Sequence, residues 1–369
     1  MKIAIMLRHL LAKGGMTIFT KGLLTALFKL DGRNEYFLLH RDDSGFGKFA
    51  RSANVTEVAL PASSKLVWDQ FAVPRYLAAE KVDLVFNPKH SIPLYTKAKK
   101  VFVMHGAEQF AVPDSFKFVD RIYFTLANPR YCRAADAVIT PTETGKRDIA
   151  RYMGADPEKI TVIPEAYNEL CCVLPESSVS ATLAPYDLPD RFALFIGGIA
   201  PLKNLGRTLQ AFSRLTVGPR HLVVVGFKRW KFQKDLALVG ELNLENRVHF
   251  VGFVPDEDIP AFYNRAEVLL FPSLYEGFGI PTLEAMACGC PVVASMTGSS
   301  PEVAGGAAEL VDPYDVESIR LGTERILRDE SLRRSMIAKG LQRCKDFSYS
   351  KTAAANLKLF ESLLSSGGE

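Results

Sequence analysis

Apolar positions along the chain follow two alternating periods. Lys2–Leu7 (KIAIML) is a continuous apolar run of strand length. After the loop Lys13-Gly14-Gly15, the residues Ile18, Phe19, Leu23, Leu24, Leu27 and Leu30 fall near the 3.6-residue spacing of a helix over Met16–Leu30. Strands are predicted at Tyr36–His40, Leu84–Asn87, Lys100–Met104 and Ala137–Thr140, and a helix from near Thr142 to about Gly154. A short strand, Lys159–Ile163, ends at Pro164. Strand followed by helix, repeated, builds a parallel sheet with helices on both faces.

The alternation stops between Glu165 and Asp190, where Pro175, Pro185 and Pro189 flank an aperiodic Ser/Thr-rich centre that reads as an inter-domain connection. It restarts with strands at Arg191–Gly197, His221–Gly226, Arg247–Val251, Val268–Phe271 and Pro291–Ala294. Helices are predicted near Asn204–Leu215, Phe232–Leu242, Asp256–Asn264 and Pro281–Cys288. The fold class is therefore α/β, with two consecutive parallel-sheet domains over 1–165 and 191–345, joined by 166–190.

Composition adds little: 48% apolar and 23% charged residues are ordinary for a globular chain. The start reads as a first strand rather than a leader, and no run of about 18 mostly apolar residues occurs. Charge says more. Residues 1–165 hold 24 Lys and Arg against 17 Asp and Glu, and the remainder 21 against 24. A basic first half suits an anionic partner, whether phosphorylated substrate, lipid surface or nucleic acid; the plainer alternative is a solvated basic surface. Six cysteines without a C-x-x-C pair point to buried thiols in a reducing cytoplasm, and six scattered histidines give no metal-ligand spacing.

The most informative segment is Phe271–Val293, FPSLYEGFGIPTLEAMACGCPVV. A strand ends, a glycine-containing loop follows, and Pro281 marks a helix start. The amides of Phe278, Gly279 and Ile280 then sit at or just before the helix N-terminus, an anion site by virtue of free N–H groups and the helix dipole. Glu276 and Glu284 flank that start, seven residues between them. A carboxylate beside phosphate is useful as an acceptor for sugar hydroxyls. The plainer alternative is a solvent-facing Glu276 and a Glu284 that merely complements the dipole.

This segment closely resembles the E-x7-E signature of retaining nucleotide-sugar glycosyltransferases of family 4, which have the two-domain GT-B fold. GGIAPLKN at 197–204, VHFVGFVPDEDIPAFYNRAEVLLFPS at 248–273 and SSPEVAGGAAELVDP at 299–313 resemble further family segments. GGMTIFTKGLLTAL and ADAVITPTETGKRDI do so in the first half, and KDFSYSKTA at 345–353 resembles the final helix. The resemblance implies two Rossmann-like domains facing a cleft, with residues 346–369 crossing back onto the first.

It also implies site roles. Lys203 is the cation on the leaving diphosphate, where fixed positive charge is needed. Glu276 is expected on the transferred sugar and Glu284 on the nucleotide ribose. The amides of Phe278, Gly279 and Ile280, with Gly277 beside them, should hold phosphate or sugar, and the base should lie around Val251–Val254. The family often carries an Arg after the strand-end glycine; here that slot is Gly198, which leaves Lys228 and Arg229 as candidate replacements. Gly14 and Gly15 would let backbone approach the donor phosphates, although Thr17 stands where the family frequently has glycine or alanine. His105 matches the family's active-site histidine, and His90 resembles an acceptor-side residue.

These parts imply a metal-independent hexosyltransferase needing no cofactor, with the leaving phosphate assisting deprotonation of the acceptor. The expected donor is GDP-mannose first and UDP-glucose second. The expected acceptor is a saccharide or lipid-linked saccharide, as in bacterial surface-polysaccharide synthesis, and not nucleic acid. Basic and aromatic residues interleaved over Glu108–Arg133 suit a lipid phosphate or a membrane edge, the alternative being an amphipathic helix with core aromatics. The rival classes are a non-catalytic nucleotide-sugar or nucleic-acid binder on the same scaffold, and a GT-B epimerase or phosphorylase.

Overall fold

The computed structural model describes residues 1–11, 14–49 and 53–365; Lys13 of the first glycine loop lies outside them. In chain order, the first elements are β1 (Lys2–Met6), α1 (Gly15–Leu30), β2 (Glu35–His40), β3 (Val55–Ala59), α2 (Lys65–Val67), α3 (Val73–Ala79), β4 (Leu84–Asn87) and β5 (Lys99–Val103). They continue with α4 (Glu108–Ala111), α5 (Phe118–Ala134), β6 (Ala137–Thr140), α6 (Glu143–Met153) and β7 (Ile160–Val162). Next come α7 (Glu176–Leu183), β8 (Phe192–Ile196), α8 (Leu205–Ser213), β9 (His221–Val225), α9 (Gln233–Glu241), β10 (Val248–Gly252) and α10 (Ile259–Arg265). The last are β11 (Val268–Phe271), α11 (Ile280–Ala287), β12 (Val292–Ser295), α12 (Ser300–Ala304), β13 (Glu309–Val311), α13 (Val316–Arg328), α14 (Glu330–Cys344) and α15 (Tyr349–Ser365).

Two compact units result. One comprises residues 1–110, 117–166 and 347–369, the other 111–116 and 167–346. The first holds a seven-stranded parallel sheet in the order β3-β2-β1-β4-β5-β6-β7. Its central strands read as unbroken apolar runs because both faces are covered. On one face Ile3, Ile5 and Phe86 meet Phe19, Leu23 and Leu27 of α1 together with Ala353 and Phe360 of α15. The last helix therefore belongs to the core of the N-terminal unit, and Tyr349 lies so close over Gly22 that a Cβ there would stand 2.3 Å from its ring. On the other face Ala4, Met6 and Val85 pack with Trp68, Val73 and Leu77.

The second unit holds a six-stranded parallel sheet, β10-β9-β8-β11-β12-β13. In both units the chain starts in the middle of the sheet and changes direction once, between β1 and β4 and between β8 and β11. Such switch points open a crevice at the carboxyl ends of the strands, where α/β proteins bind ligands.

Differences from the sequence reading include helices α3, α13 and α14, over which none was predicted, two edge strands and the connection. The edge strands β3 (VTEVA) and β13 (ELV) are short and partly exposed, so they lack the strong apolar signal of the inner strands. The stretch read as an aperiodic connection contains α7, which buries only Val179 and Leu183. It is held beside α10 by an Arg265–Glu176 ion pair at 2.6 Å, and the turn after it by the Tyr186 hydroxyl donating to Asp258 at 2.6 Å.

Two glycines allow the strand ends to converge. Gly197 (φ 140°) and Gly226 (φ 141°) follow β8 and β9, and a Cβ on Gly226 would lie 1.9 Å from the Gly197 carbonyl oxygen. The Gly226→Ala variant combines that backbone collision with a φ that side chains rarely adopt. It is expected to lose about 2 kcal/mol or more in urea denaturation, and unchanged stability would refute the close approach.

Candidate functional site

The carboxyl ends of β8 and β11 carry the residues singled out from the sequence in the second unit. After β8 the chain passes through Gly197 and Gly198 into a single 3-10 turn, Pro201–Lys203. Asn204 follows in the left-handed conformation (φ 63°). Its buried amide donates to the carbonyls of Pro272 (2.9 Å) and Pro313 (2.6 Å), tying three loops together. After β11, the loop bearing Glu276 is held from both sides. Leu274 N–H donates to Leu202 O at 2.9 Å, and the Ser299 hydroxyl and amide both donate to Glu276 O, at 2.8 and 3.1 Å. Gly298 (φ 63°) has no room for a Cβ, which would stand 2.9 Å from that same carbonyl oxygen.

These anchors bring Lys203 and Glu276 together. Lys203 Nζ lies 2.5 Å from Glu276 Oε1 and 4.9 Å over the Phe271 ring. Both side chains are largely but not fully covered, so each can exchange its partner for a ligand. Beside them α11 begins at Ile280, with Gly279 (φ 90°) as N-cap. The amides of Gly279 and Ile280 donate no hydrogen bond among the described residues, whereas Phe278 is buried and Gly277 precedes it in the same loop.

Glu284 is not on the surface of α11 but 6% exposed within it. Tyr263 donates its hydroxyl to Glu284 Oε2 at 2.9 Å. Burial pushes the carboxyl up to about 7, with the hydrogen bonds from Tyr263 and the Asn168 amide pulling it down and Asp256 adding to the rise. Val251 lies on the edge strand β10, half-buried, at the register shift between Phe250 and Gly252.

In the first unit, Gly14 (φ 127°) is the N-cap of α1 and Gly15 its first residue. Thr17 is buried and donates its amide to Gly14 O at 3.0 Å, so the departure from the family's small residue is absorbed into the helix start. His105, following β5, has Nδ1 2.5 Å from Glu165 Oε1 and Nε2 2.9 Å from Pro88 O, with Phe19 edge-on at 5.1 Å. Burial opposes its charge, but the charge and hydrogen bond of Glu165 and the Pro88 carbonyl outweigh it and raise its pKa. Both ring nitrogens of His105 thus stand against oxygen acceptors, Glu165 on one side and the Pro88 carbonyl on the other.

His90 follows β4, its ring edge-on to Phe124 at 5.0 Å. Burial, then the charges of Lys89, Lys65, His105 and Arg8, hold it well below the usual histidine range. His9 behaves alike: burial and then Lys89, Arg8 and His105 lower it to about 3. Its Nε2 lies 3.1 Å from Thr20 Oγ1. Arg8 pairs with the buried Asp69 at 3.3 Å. Basic groups thus gather at the carboxyl ends of β1, β4 and β5.

The expected residues accordingly form two groups, one per unit: Lys203, Glu276, Gly279, Ile280 and Glu284 in the second, Gly14, Gly15, His90 and His105 in the first. Glu165, Asn204 and Tyr263 were not legible from the sequence. Asn204 and Tyr263 lie inside the family-like segments 197–204 and 248–273 but were not singled out, and Glu165 lies in none; each acts through a partner distant in the chain, and only the αL-tolerant Asn204 at a helix start carried a weak local signal.

Residues 185–343 match the model of the glycosyl transferases group 1, and residues 13–169 that of glycosyltransferase family 4. The chain is 31% identical over 275 residues to O-antigen chain mannosyltransferase B of Escherichia coli, covering 72% of this chain and 71% of that protein. It is 32% identical over 242 residues to the serotype-specific mannosyltransferase WbdA of the same species, covering 64% of this chain but only 30% of WbdA. Among solved structures, sucrose-phosphate synthase from Thermosynechococcus elongatus superposes with a TM-score of 0.81 at 22% identity, over 99% of both chains. Anabaena HepE in complex with UDP and glucose gives 0.77 at 18% identity, over 98% of this chain and 100% of that one. The fold is therefore the two-sheet GT-B architecture, and the chain belongs to the family 4 glycosyltransferases, whose carboxyl-terminal half is the group 1 domain.

Proposed function

We propose that this enzyme transfers a hexose, mannose in first place and glucose second, from a nucleotide-sugar to a saccharide or lipid-linked saccharide, with retention and without a metal. The observation that carries the reading is the Lys203–Glu276 pair beside the open amides of Gly279 and Ile280 at the switch point of the second sheet. Lys203 and the amides would face the diphosphate, Glu276 the transferred sugar and Glu284 the ribose. GDP-mannose is favoured because the two relatives named above are mannosyltransferases; HepE, solved with UDP and glucose, supports UDP-glucose second.

In this reaction the bond from the anomeric carbon to the diphosphate oxygen breaks, and its electron pair stays on that oxygen. The acceptor hydroxyl oxygen bonds the same face of the carbon, and its proton passes to the departing phosphate. The protein's share is positioning and fixed charge. Thermal unfolding in EDTA with GDP-mannose, UDP-glucose, GDP and UDP tests the donor. A ligand at a hundred times its Kd stabilises by about 2.7 kcal/mol. A shift with one nucleotide alone is expected; no shift with any of them would leave the non-catalytic scaffold as the better reading.

The acceptor reading rests on the first unit. The basic groups Arg8, Lys89 and Lys65 suit an acceptor carried on a phosphate. No helix among the described residues is long and apolar enough to cross a membrane. Half of the amphipathic alternative holds for α5: Tyr131 and Cys132 at its end are core, whereas Phe118, Val119, Ile122 and Leu126 are exposed next to Lys117 and Arg121. That pattern supports contact with an anionic lipid surface. The chain is expected to sediment with vesicles containing phosphatidylglycerol and not with pure phosphatidylcholine, and a Phe118→Ser, Val119→Ser double variant to stay in the supernatant. Equal behaviour of the two proteins would remove α5 from this account.

A further inference from the structure

The Lys203–Glu276 pair cancels its own charge where a diphosphate would leave, and position 198, directly after the strand-end glycine, has no side chain. A second cation reaches that gap from another strand. Past β9 the chain is tied to the glycine loop: Ile199 N–H donates to Phe227 O at 2.8 Å and Arg229 N–H to Ile199 O at 3.0 Å, while Ile199 pairs with Lys228 in an isolated parallel bridge. A Cβ on Gly198 would stand 2.4 Å from Arg229 Nε and 2.6 Å from its Cδ. Arg229 thus occupies the volume that a side chain at 198 would take. The stem of Lys203 lies over Gly197 in a similar way, its Cε 3.6 Å from the corresponding Cβ position.

Two successive glycines therefore carry two cationic stems, one from the turn after β8 and one from the end of β9. Arg229 is exposed and makes no ion pair among the described residues, in contrast to Lys203. Its neighbour Lys228 is turned toward the Phe232 ring, 5.8 Å from the ammonium. An unpaired guanidinium presents a planar fork of donors that matches phosphate oxygens, here at the carboxyl ends of parallel strands.

We propose that Arg229 is the second cation on the leaving diphosphate, delivered from the end of β9 through the space left open by Gly198. The inference rests on the donor reading of this site. As the sugar–oxygen bond breaks and the electron pair moves onto the diphosphate, Arg229 would supply the positive charge that the neutral Lys203–Glu276 pair lacks.

Titration calorimetry separates the inference from the donor reading. GDP, UDP, guanosine and uridine are titrated into the wild-type chain, Arg229→Ala, Gly198→Ala, and Arg229→Ala combined with Gly198→Arg. Wild type is expected to bind one nucleoside diphosphate; binding of neither overturns the donor reading and this inference with it. Arg229→Ala is expected to weaken that diphosphate about tenfold or more while leaving its nucleoside unchanged. Gly198→Ala should do the same by displacing the flexible Arg229 side chain, since Gly198 has no left-handed φ to strain. Arginine at 198 should restore affinity in the Arg229→Ala background, which a merely structural role of Arg229 does not allow. An unchanged diphosphate affinity in Arg229→Ala, or an equal loss for nucleoside and diphosphate, overturns the proposal.

Discussion

Lys203→Met is expected to lower kcat for sugar transfer by about 10²–10³-fold with the fold intact, the loss typical when a fixed charge-stabilising group is removed from a transition state. Methionine keeps much of the apolar stem that lies over Gly197, so packing is largely retained. It removes the ammonium and leaves the Glu276 carboxylate, 11% exposed, without its counter-ion. Both effects act on the same step: departure of the diphosphate loses its cation, and Glu276 adds uncompensated negative charge beside it. Saturating-donor kinetics together with the circular-dichroism melting curve separate this from unfolding. A variant with wild-type kcat would show that the pair is only a structural ion pair.

Glu284→Gln is expected to stabilise the protein at pH 8 while weakening donor binding. The buried carboxyl titrates at about 7 in the folded chain against an ordinary value of 4.5. The folded state therefore holds a proton that the unfolded chain releases. Stability associated with this group is fully present below about pH 4.5 and is lost as pH rises to about 7. At about 1.4 kcal/mol per pH unit the cost above pH 7 amounts to roughly 3 kcal/mol. Glutamine accepts the Tyr263 hydroxyl in the same place and never ionises, so its Tm advantage should appear at pH 8 and vanish near pH 4.5. The donor gains from the opposite state, because an ionised carboxylate accepts ribose hydroxyls more strongly. Wild-type donor affinity is accordingly expected to improve as pH rises through 7, a dependence absent from Glu284→Gln. A variant less stable than wild type at pH 8 would overturn the assignment.

The inner strands were legible because both faces of a parallel sheet are buried, so KIAIML, HLVVVG and VLLF stand out as apolar runs. The helices between them showed the expected period where one face meets the sheet. The short edge strands β3 and β13 escaped notice for the converse reason. α7 escaped because a helix with two buried apolar residues has almost no pattern, and polar contacts from Arg265, and from Asp258 to the turn after it, hold it instead. The E-x7-E segment pointed to a helix start with two acids, but a spacing of seven places both residues without distinguishing a solvent-facing acid from a buried one.

By itself the sequence determined the layered α/β character, the restart of the alternation after residue 190, and the strand–loop–helix at Phe271–Ala287. All of these follow from local periodicity and turn chemistry. Tertiary structure alone decided which charges meet. Lys203 and Glu276 are 73 residues apart and His105 and Glu165 are 60 apart, and each pair is joined only because parallel strands place successive loops side by side at one end of a sheet. The same holds for Tyr263 with Glu284 and for Arg229 over Gly198. In a parallel sheet every crossover returns the chain to the same end, so residues far apart in sequence converge there, and no local pattern records which of them become neighbours.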